Sequence, residues 1–147
     1  MAKHPEPIWN EDNAYRGYEG GSPVPAGTKV VDSEWMQAAS VLSVDLQRRR
    51  EKDLDYEIQV FKIGRTALVG LPGEPFVEGQ LALKMASPAY RTLVAHCCNM
   101  YCGYLPIAAA FPRGGHEVET RYWSKLVPEA LQMVVAETGA VLEELFG

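Results

Sequence analysis

A glutamate stands where the sequence predicts that a buried strand turns into a helix. Residues 67–71 are almost wholly apolar, and residues 71–76, Leu-Pro-Gly-Glu-Pro-Phe, place Glu74 directly after a Pro-Gly break. Ligand sites in open α/β sheets gather at the carboxyl ends of strands, where a carboxylate can bind a metal ion or act as a base. The alternative is that Glu74 only complements the positive N-terminus of the following helix, and the residue pattern alone favours this alternative.

Two tyrosines follow the next predicted strand, again at its carboxyl end. They lie in residues 99–104, Asn-Met-Tyr-Cys-Gly-Tyr. If the two strands are parallel neighbours, this segment and Glu74 lie at the same edge of the sheet. Because tyrosine is an uncommon metal ligand, Tyr101 and Tyr104 taken alone are predicted to be packing residues whose hydroxyls have hydrogen-bond partners.

A histidine and three cysteines of the same region are residue types that bind metals. The spacing of His96, Cys98 and Cys102 matches no closed zinc site. Strand alternation also predicts that Cys97 points away from His96 and Cys98. These side chains are therefore predicted to be buried strand residues.

Two other groups of polar residues are predicted not to bind anions. Residues 113–117, Arg-Gly-Gly-His-Glu, contain two glycines whose amides could approach an anion. They lack the strand–turn–helix context of a phosphate loop, so a flexible loop is predicted. Arg48, Arg49 and Arg50 are predicted to be the cationic end of a helix.

The composition narrows the classes of function. The 147 residues fit one domain, and their formal net charge of −5 argues against nucleic-acid binding, which needs clustered Lys and Arg. No apolar run approaches the roughly 20 residues that span a bilayer, and no signal peptide is visible. Three cysteines, an odd number, do not resemble a secreted disulfide framework. The predicted location is therefore the cytoplasm, unless an export signal belongs to a part of the protein upstream of this chain.

Hydrophobic periodicity and turn residues predict an α/β fold. Residues 1–30 are predicted to be irregular, with aromatic side chains that pack, and residues 31–147 to form a partial domain. That domain is predicted to contain a partial mixed sheet with a β-hairpin, about three helices and a long Gly/Pro-rich loop. The predicted elements are a helix over 33–50, a hairpin over 56–69 with its turn at Gly64-Arg65, a helix over 75–86, a strand over 92–98, a loop over 99–126 and a helix from near Pro128 to Leu145.

Three segments together resemble the neutral/alkaline non-lysosomal ceramidase family. They are residues 67–76, residues 99–106 and residues 114–117, and their order and separations fit the family. The resemblance spans roughly residues 56–145 and corresponds to the C-terminal part of the family's catalytic domain. It is closest to bacterial ceramidase-like members, which carry Pro-Gly-Glu-Pro-Phe and Gly-Tyr-(Ile/Leu)-Pro.

The resemblance implies a zinc enzyme. Members of the family are amidases that cleave the N-acyl bond of ceramide, and two histidines, a glutamate and a tyrosine hold their zinc. The glutamate matches Glu74 and the tyrosine matches Tyr104, whereas the histidines come from much earlier in the family's chain and have no counterpart here. The chain also departs from the family at Ile107, where Thr is frequent, and at His116, where Tyr is usual.

The leading interpretation is a part of a zinc-dependent amidohydrolase that acts on a lipid amide and is incomplete on its own. Its zinc would bind only if histidines from an N-terminal part of the same enzyme completed the site. The resemblance assigns no catalytic residue beyond these ligands. A missing N-terminal part would leave an apolar patch beside Glu74 and Tyr104, and self-association is expected from it. The alternative is a metal-free binding or structural module that keeps the fold without catalysis.

Overall fold

The computed structural model describes residues 9–10, 30–31 and 33–147. The chain divides into two compact units, Met1–Lys52 and Asp53–Gly147. The described elements of the first unit are β1 (Trp9–Asn10), β2 (Val30–Val31) and α1 (Ser33–Arg50).

In the first unit, β1 pairs with β2 in antiparallel fashion. Helix α1 confirms the helix predicted over residues 33–50, and its three arginines occupy the last turn, where they complement the helix dipole. Arg49 also forms an ion pair with Asp45 over 2.7 Å, one helical turn earlier. The irregular segment predicted over residues 1–30 lies mostly outside the described residues, and the few described there are paired as strands.

The second unit is an α/β arrangement around a small mixed sheet. Strand order in the sheet is β3-β4-β6, with β3 antiparallel and β6 parallel to the central β4. This confirms the predicted fold class, with its hairpin and its central apolar strand. The elements of this second unit are β3 (Gln59–Ile63), β4 (Thr66–Gly70), β5 (Glu74–Pro75), α2 (Val77–Ala86), β6 (Arg91–Ala95), β7 (Tyr104–Leu105), a 3-10 helix (Ala108–Arg113) and α3 (Ala130–Phe146).

The hairpin turns at Gly64-Arg65, as predicted. Gly64 adopts φ +59°, a left-handed conformation that glycine tolerates better than other residues. Glycine at the first turn position matches the backbone twist of the two strands, so this local signal fixes the register from Gln59 opposite Gly70 to Ile63 opposite Thr66.

The core lies between the sheet and the two helices of this unit. Ala67 and Val69 of β4 are fully buried, and they belong to one apolar cluster with Leu83 of α2 and Leu142 of α3. Each buried leucine contributes about 1.5–3 kcal/mol relative to an exposed one. Gly79 lets the helices approach, because a Cβ there would lie only 2.7 Å from Leu131 Cδ1.

Several predicted boundaries are wrong. Strand β3 begins at Gln59 rather than at Tyr56, and the loop predicted over residues 99–126 contains β7 and the 3-10 helix. Helix α2 begins at Val77 rather than Pro75, because Pro75 pairs in β5. Strand β6 ends at Ala95 rather than Cys98, because the following amides bond elsewhere: Cys98 N–H donates to the Leu71 carbonyl over 3.1 Å.

The apolar residues of α2 mostly face outward. Val77, Leu81 and Met85 recur every four positions on one stripe of the helix, and all three are exposed, Met85 to 87%. The side of α2 that is buried carries Gly79 and Leu83 instead. Within the described part of the chain, no helix has both the length and the apolar character needed to cross a bilayer.

Candidate functional site

Glu74 and Tyr104 are paired residues. They stand opposite each other in the short parallel pair of β5 and β7, which forms beyond the carboxyl ends of β4 and β6. Two backbone bonds hold the pair, from Glu74 N–H to the Gly103 carbonyl (2.9 Å) and from Phe76 N–H to the Leu105 carbonyl (3.0 Å). Directly opposed residues project to the same side of a sheet, so the structure brings together the two side chains that the sequence singled out.

Two glycines make this arrangement possible, because three chain segments meet without room for side chains. A Cβ at Gly73, whose φ is +65°, would lie 2.3 Å from the Gly103 carbonyl oxygen and 2.6 Å from Cys102 Sγ. A Cβ at Gly103, whose φ is +92°, would lie 2.3 Å from the Trp123 carbonyl oxygen. Both positions therefore require glycine for conformation and for space.

A side-chain hydrogen bond also holds the turn that precedes Glu74. The Tyr56 hydroxyl donates a hydrogen bond of 2.7 Å to the Pro72 carbonyl. Burial of this phenol, and the nearby thiols of Cys102 and Cys98, raise its pKa well above the usual range. The neutral phenol is therefore the form that the folded chain favours.

Tyr101 contacts Glu74 directly. Its hydroxyl donates a hydrogen bond to Glu74 Oε1 over 3.1 Å. Partial burial, this hydrogen bond and the charge of the Glu74 carboxylate raise the pKa of Tyr101 to about 12. The prediction that the Tyr101 hydroxyl has a hydrogen-bond partner is thus confirmed, whereas the prediction of a packing residue is wrong, because Tyr101 is 52% exposed. The contact joins residues 27 positions apart, and nothing local in the sequence signals it.

The other tyrosine of the site, Tyr104, lies within a group of aromatic rings. The His116 ring meets Tyr104 edge-on, with centroids 5.7 Å apart, and stacks on Trp123 at 4.8 Å. The backbone of this segment is held as well, since Trp123 Nε1–H donates to the His116 carbonyl over 3.2 Å and the Ser124 hydroxyl donates to the Glu117 carbonyl over 2.6 Å. Residues 116 and 117 of the predicted flexible loop are therefore held beside the site, whereas residues 113–115 are exposed, and His116 is a neighbour of Tyr104 that the sequence reasoning missed.

The residues after β6 differ from the prediction of buried strand positions. His96 and Cys97 are exposed, and Cys102 is the buried thiol. Because β6 has already ended, strand alternation does not apply, and Cys97 Sγ lies 3.4 Å from His96 Nδ1. The φ angle of Cys97 is +54°. Slight burial and the nearby Glu74 carboxylate raise the pKa of the Cys97 thiol, which keeps it protonated and a poor nucleophile.

The metal-binding capacity of the described residues is limited. No group of three or more His, Cys, Asp or Glu side chains in the described ranges is arranged to hold a metal ion. Glu74 and Tyr104, which are opposite each other in the β5–β7 pair, each carry a side-chain oxygen group, whereas catalytic zinc usually has three protein ligands. The described residues therefore contain at most two of the four ligands that the ceramidase resemblance implies.

Comparison of the chain with protein-family models, with curated proteins and with solved structures yields no match.

Proposed function

We propose that this chain is part of a zinc-dependent amidohydrolase of the neutral ceramidase kind, in which Glu74 and Tyr104 supply two of the zinc ligands. The observation that carries the proposal is the direct pairing of these two residues at the carboxyl edge of the sheet. Glu74 and Tyr104 belong to two of the motifs that carry the resemblance and are 30 positions apart in the sequence (104 − 74). In the fold they are opposite each other in a strand pair.

The side chains around the two ligands support this role. Tyr101 holds one oxygen of the Glu74 carboxylate and leaves the other to face a cation. The His116 ring packs on Tyr104 and restricts the orientation of its phenol. When bound, zinc would lower the pKa of a water molecule and polarise the amide carbonyl.

The remaining ligands would be histidines from an N-terminal part of the same enzyme, and the substrate would be a lipid amide such as ceramide. With two ligands the chain alone binds zinc weakly and does not hydrolyse the amide at a useful rate. Two exposed side chains near Glu74 in the sequence or in contact with it suit an acyl chain: Val77, three residues later, and Tyr101.

A metal-free binding or structural module is the second candidate. The observation that favours it is the lack of a third His, Cys, Asp or Glu donor beside Glu74 within the described residues. In that case the Glu74–Tyr101 hydrogen bond would be a structural contact of the loop, and no added protein part would produce a metal site.

Cobalt(II) titration distinguishes the two candidates, because its visible spectrum reports on coordination by protein ligands. We expect weak binding by the 147-residue chain and tight binding once an N-terminal fragment of a family ceramidase, carrying both histidines, is added. Glu74→Gln should abolish the tight binding, whereas the control Glu78→Gln, at an exposed glutamate four residues away on α2, should not.

Three results would favour the metal-free module. They are the absence of any tightening by the fragment, equal binding by the Glu74 and Glu78 variants, and a mixture that never hydrolyses ceramide. A fourth result would show that the chain is not a partial site but a complete enzyme. The purified chain alone would hydrolyse the amide in a zinc-dependent way, and Glu74→Ala would abolish this activity.

A further inference from the structure

The face of the sheet that points away from α2 and α3 carries an exposed apolar row. Phe61, Leu68 and Leu93 are register partners across β3, β4 and β6, so their side chains lie on one face. Phe61 and Leu93 are each 55% exposed, and Leu68 between them is half-buried. Ile63, two residues after Phe61, continues the same face and is exposed as well.

Charges of opposite sign lie at the two ends of this face. At one end, Gln59 donates a side-chain hydrogen bond of 2.6 Å to Glu57, which places the two side chains on the same side of the chain. At the other end, Arg65 and Arg91 flank the Tyr90 ring, with guanidinium carbons 4.6 and 5.7 Å from its centroid. Neither arginine has an ion-pair partner among the described residues.

Two residues of opposite charge flank β3 at equal sequence distances from Phe61: Glu57 precedes the strand, and Arg65 lies in the hairpin turn that follows it. Glu57 lies four residues before Phe61 (61 − 57) and Arg65 lies four residues after it (65 − 61). A second copy turned by 180° about an axis across the strands at Phe61 would therefore bring the end of its face that carries Arg65 over the end that carries Glu57, and the reverse. The two apolar rows would meet between these ends.

We propose that this face is the interface of a symmetric dimer of the chain, with the two sheets stacked face to face and their β3 strands antiparallel. A twofold interface uses the same patch on both subunits and must be complementary to itself. Here the acidic end, the apolar centre and the basic end meet that requirement, and the charges select the antiparallel orientation. The proposal does not depend on zinc or on the Glu74–Tyr104 pair.

Sedimentation equilibrium of the 147-residue chain tests the proposal. We expect a concentration-dependent monomer–dimer equilibrium that weakens at high salt. Phe61→Ser should raise the dimer dissociation constant by about tenfold or more, since a central apolar residue carries much of the binding energy. Met85→Ser, at a more exposed apolar residue on α2, is the matched control and should leave the constant unchanged.

A charge exchange tests the orientation. Glu57→Arg and Arg65→Glu should each weaken the dimer, because each variant opposes like charges, and the double variant should recover the wild-type constant. Far-UV circular dichroism confirms that each variant is folded. A chain that stays monomeric, a dimer insensitive to Phe61→Ser, or a double variant no better than the single ones would overturn the proposal.

Discussion

The hydroxyl of Tyr101 donates a hydrogen bond to Oε1 of Glu74 over 3.1 Å, although 27 positions separate the two residues. The bond fixes one carboxylate oxygen and thereby sets the direction of the other. A group that orients a metal ligand in this way affects affinity without touching the metal. The relationship gives Tyr101 a positioning role within the proposed site.

Removal of the Tyr101 hydroxyl should therefore weaken metal binding. In the cobalt titration with the histidine-bearing fragment, we expect Tyr101→Phe to lower affinity by about tenfold, the lower end of the usual cost of losing such a partner. The free energy of unfolding should change little, because the side chain is half exposed. The control is Tyr90→Phe, at an exposed tyrosine near the other end of the sheet. Equal metal affinities of the two variants would show that Tyr101 does not position Glu74.

The backbone of Gly73 packs closely on Gly103, and that of Gly103 on Trp123. These close contacts should make the two glycines the positions of the unit that tolerate substitution least. Gly103→Ala forces a Cβ against a carbonyl oxygen that cannot move aside, at a φ of +92°, and should cost about 3 kcal/mol of unfolding free energy. Gly64→Ala, at φ +59° with nothing within 4 Å, carries only the conformational cost of about 1 kcal/mol. Urea denaturation of both variants measures the difference, and similar losses would show that these close contacts have room to adjust.

Helix α3 contains an interior glycine whose replacement should stabilise the chain. A Cβ at Gly139 would meet nothing within 4 Å, so alanine gains helix propensity without a clash. We expect Gly139→Ala to raise the unfolding free energy by about 1 kcal/mol. A loss of stability in thermal or urea denaturation would indicate that this position has a contact which the fold does not show.

Tyr56 should make stability depend on pH in the alkaline range. Its pKa is raised in the folded chain, so its contribution is fully present below the unfolded pKa of about 10 and is lost as pH rises further. At pH 8 we expect Tyr56→Phe to be less stable than the wild type by about 1 kcal/mol, because the bond to the Pro72 carbonyl is lost.

Above pH 10 the difference between the Tyr56→Phe variant and the wild type should shrink, since the phenylalanine cannot ionise. Urea midpoints measured for both proteins between pH 8 and 11 provide the check. A constant difference over this range would mean that Tyr56 ionises equally in the folded and unfolded chain.

Local signals in the sequence predicted much of the fold. Helical spacing located α3 through Leu131, Val134, Thr138 and Leu142, all of which are buried. A glycine at the turn located the hairpin, and an apolar run located the central strand. The proximity of Glu74 and Tyr104 followed from a general rule about strand ends, and the fold confirms that proximity.

Features that depend on distant partners could not be read from the sequence. Pro75 looked like a helix start because its pairing with Leu105 is set by a segment 30 residues away (105 − 75). His96 and Cys97 looked like strand residues because the amides beyond Ala95 bond to the turn at residues 71–73 rather than to a strand. The stacking of His116 on Trp123 likewise joins loop residues that carry no periodic pattern.

The two-residue pair of β5 and β7 has a consequence for the order in which the unit folds. The hairpin of β3 and β4 joins near neighbours, whereas the pairing of Glu74 with Tyr104 closes a long loop and needs β6 already in place. The amides of Glu74 and Phe76 should therefore exchange with deuterium sooner than that of Val69 in the central strand. Moderate heating or a mildly destabilising change would then open the proposed site while the sheet persists, so the Glu74–Tyr104 pairing would be lost before the rest of the secondary structure.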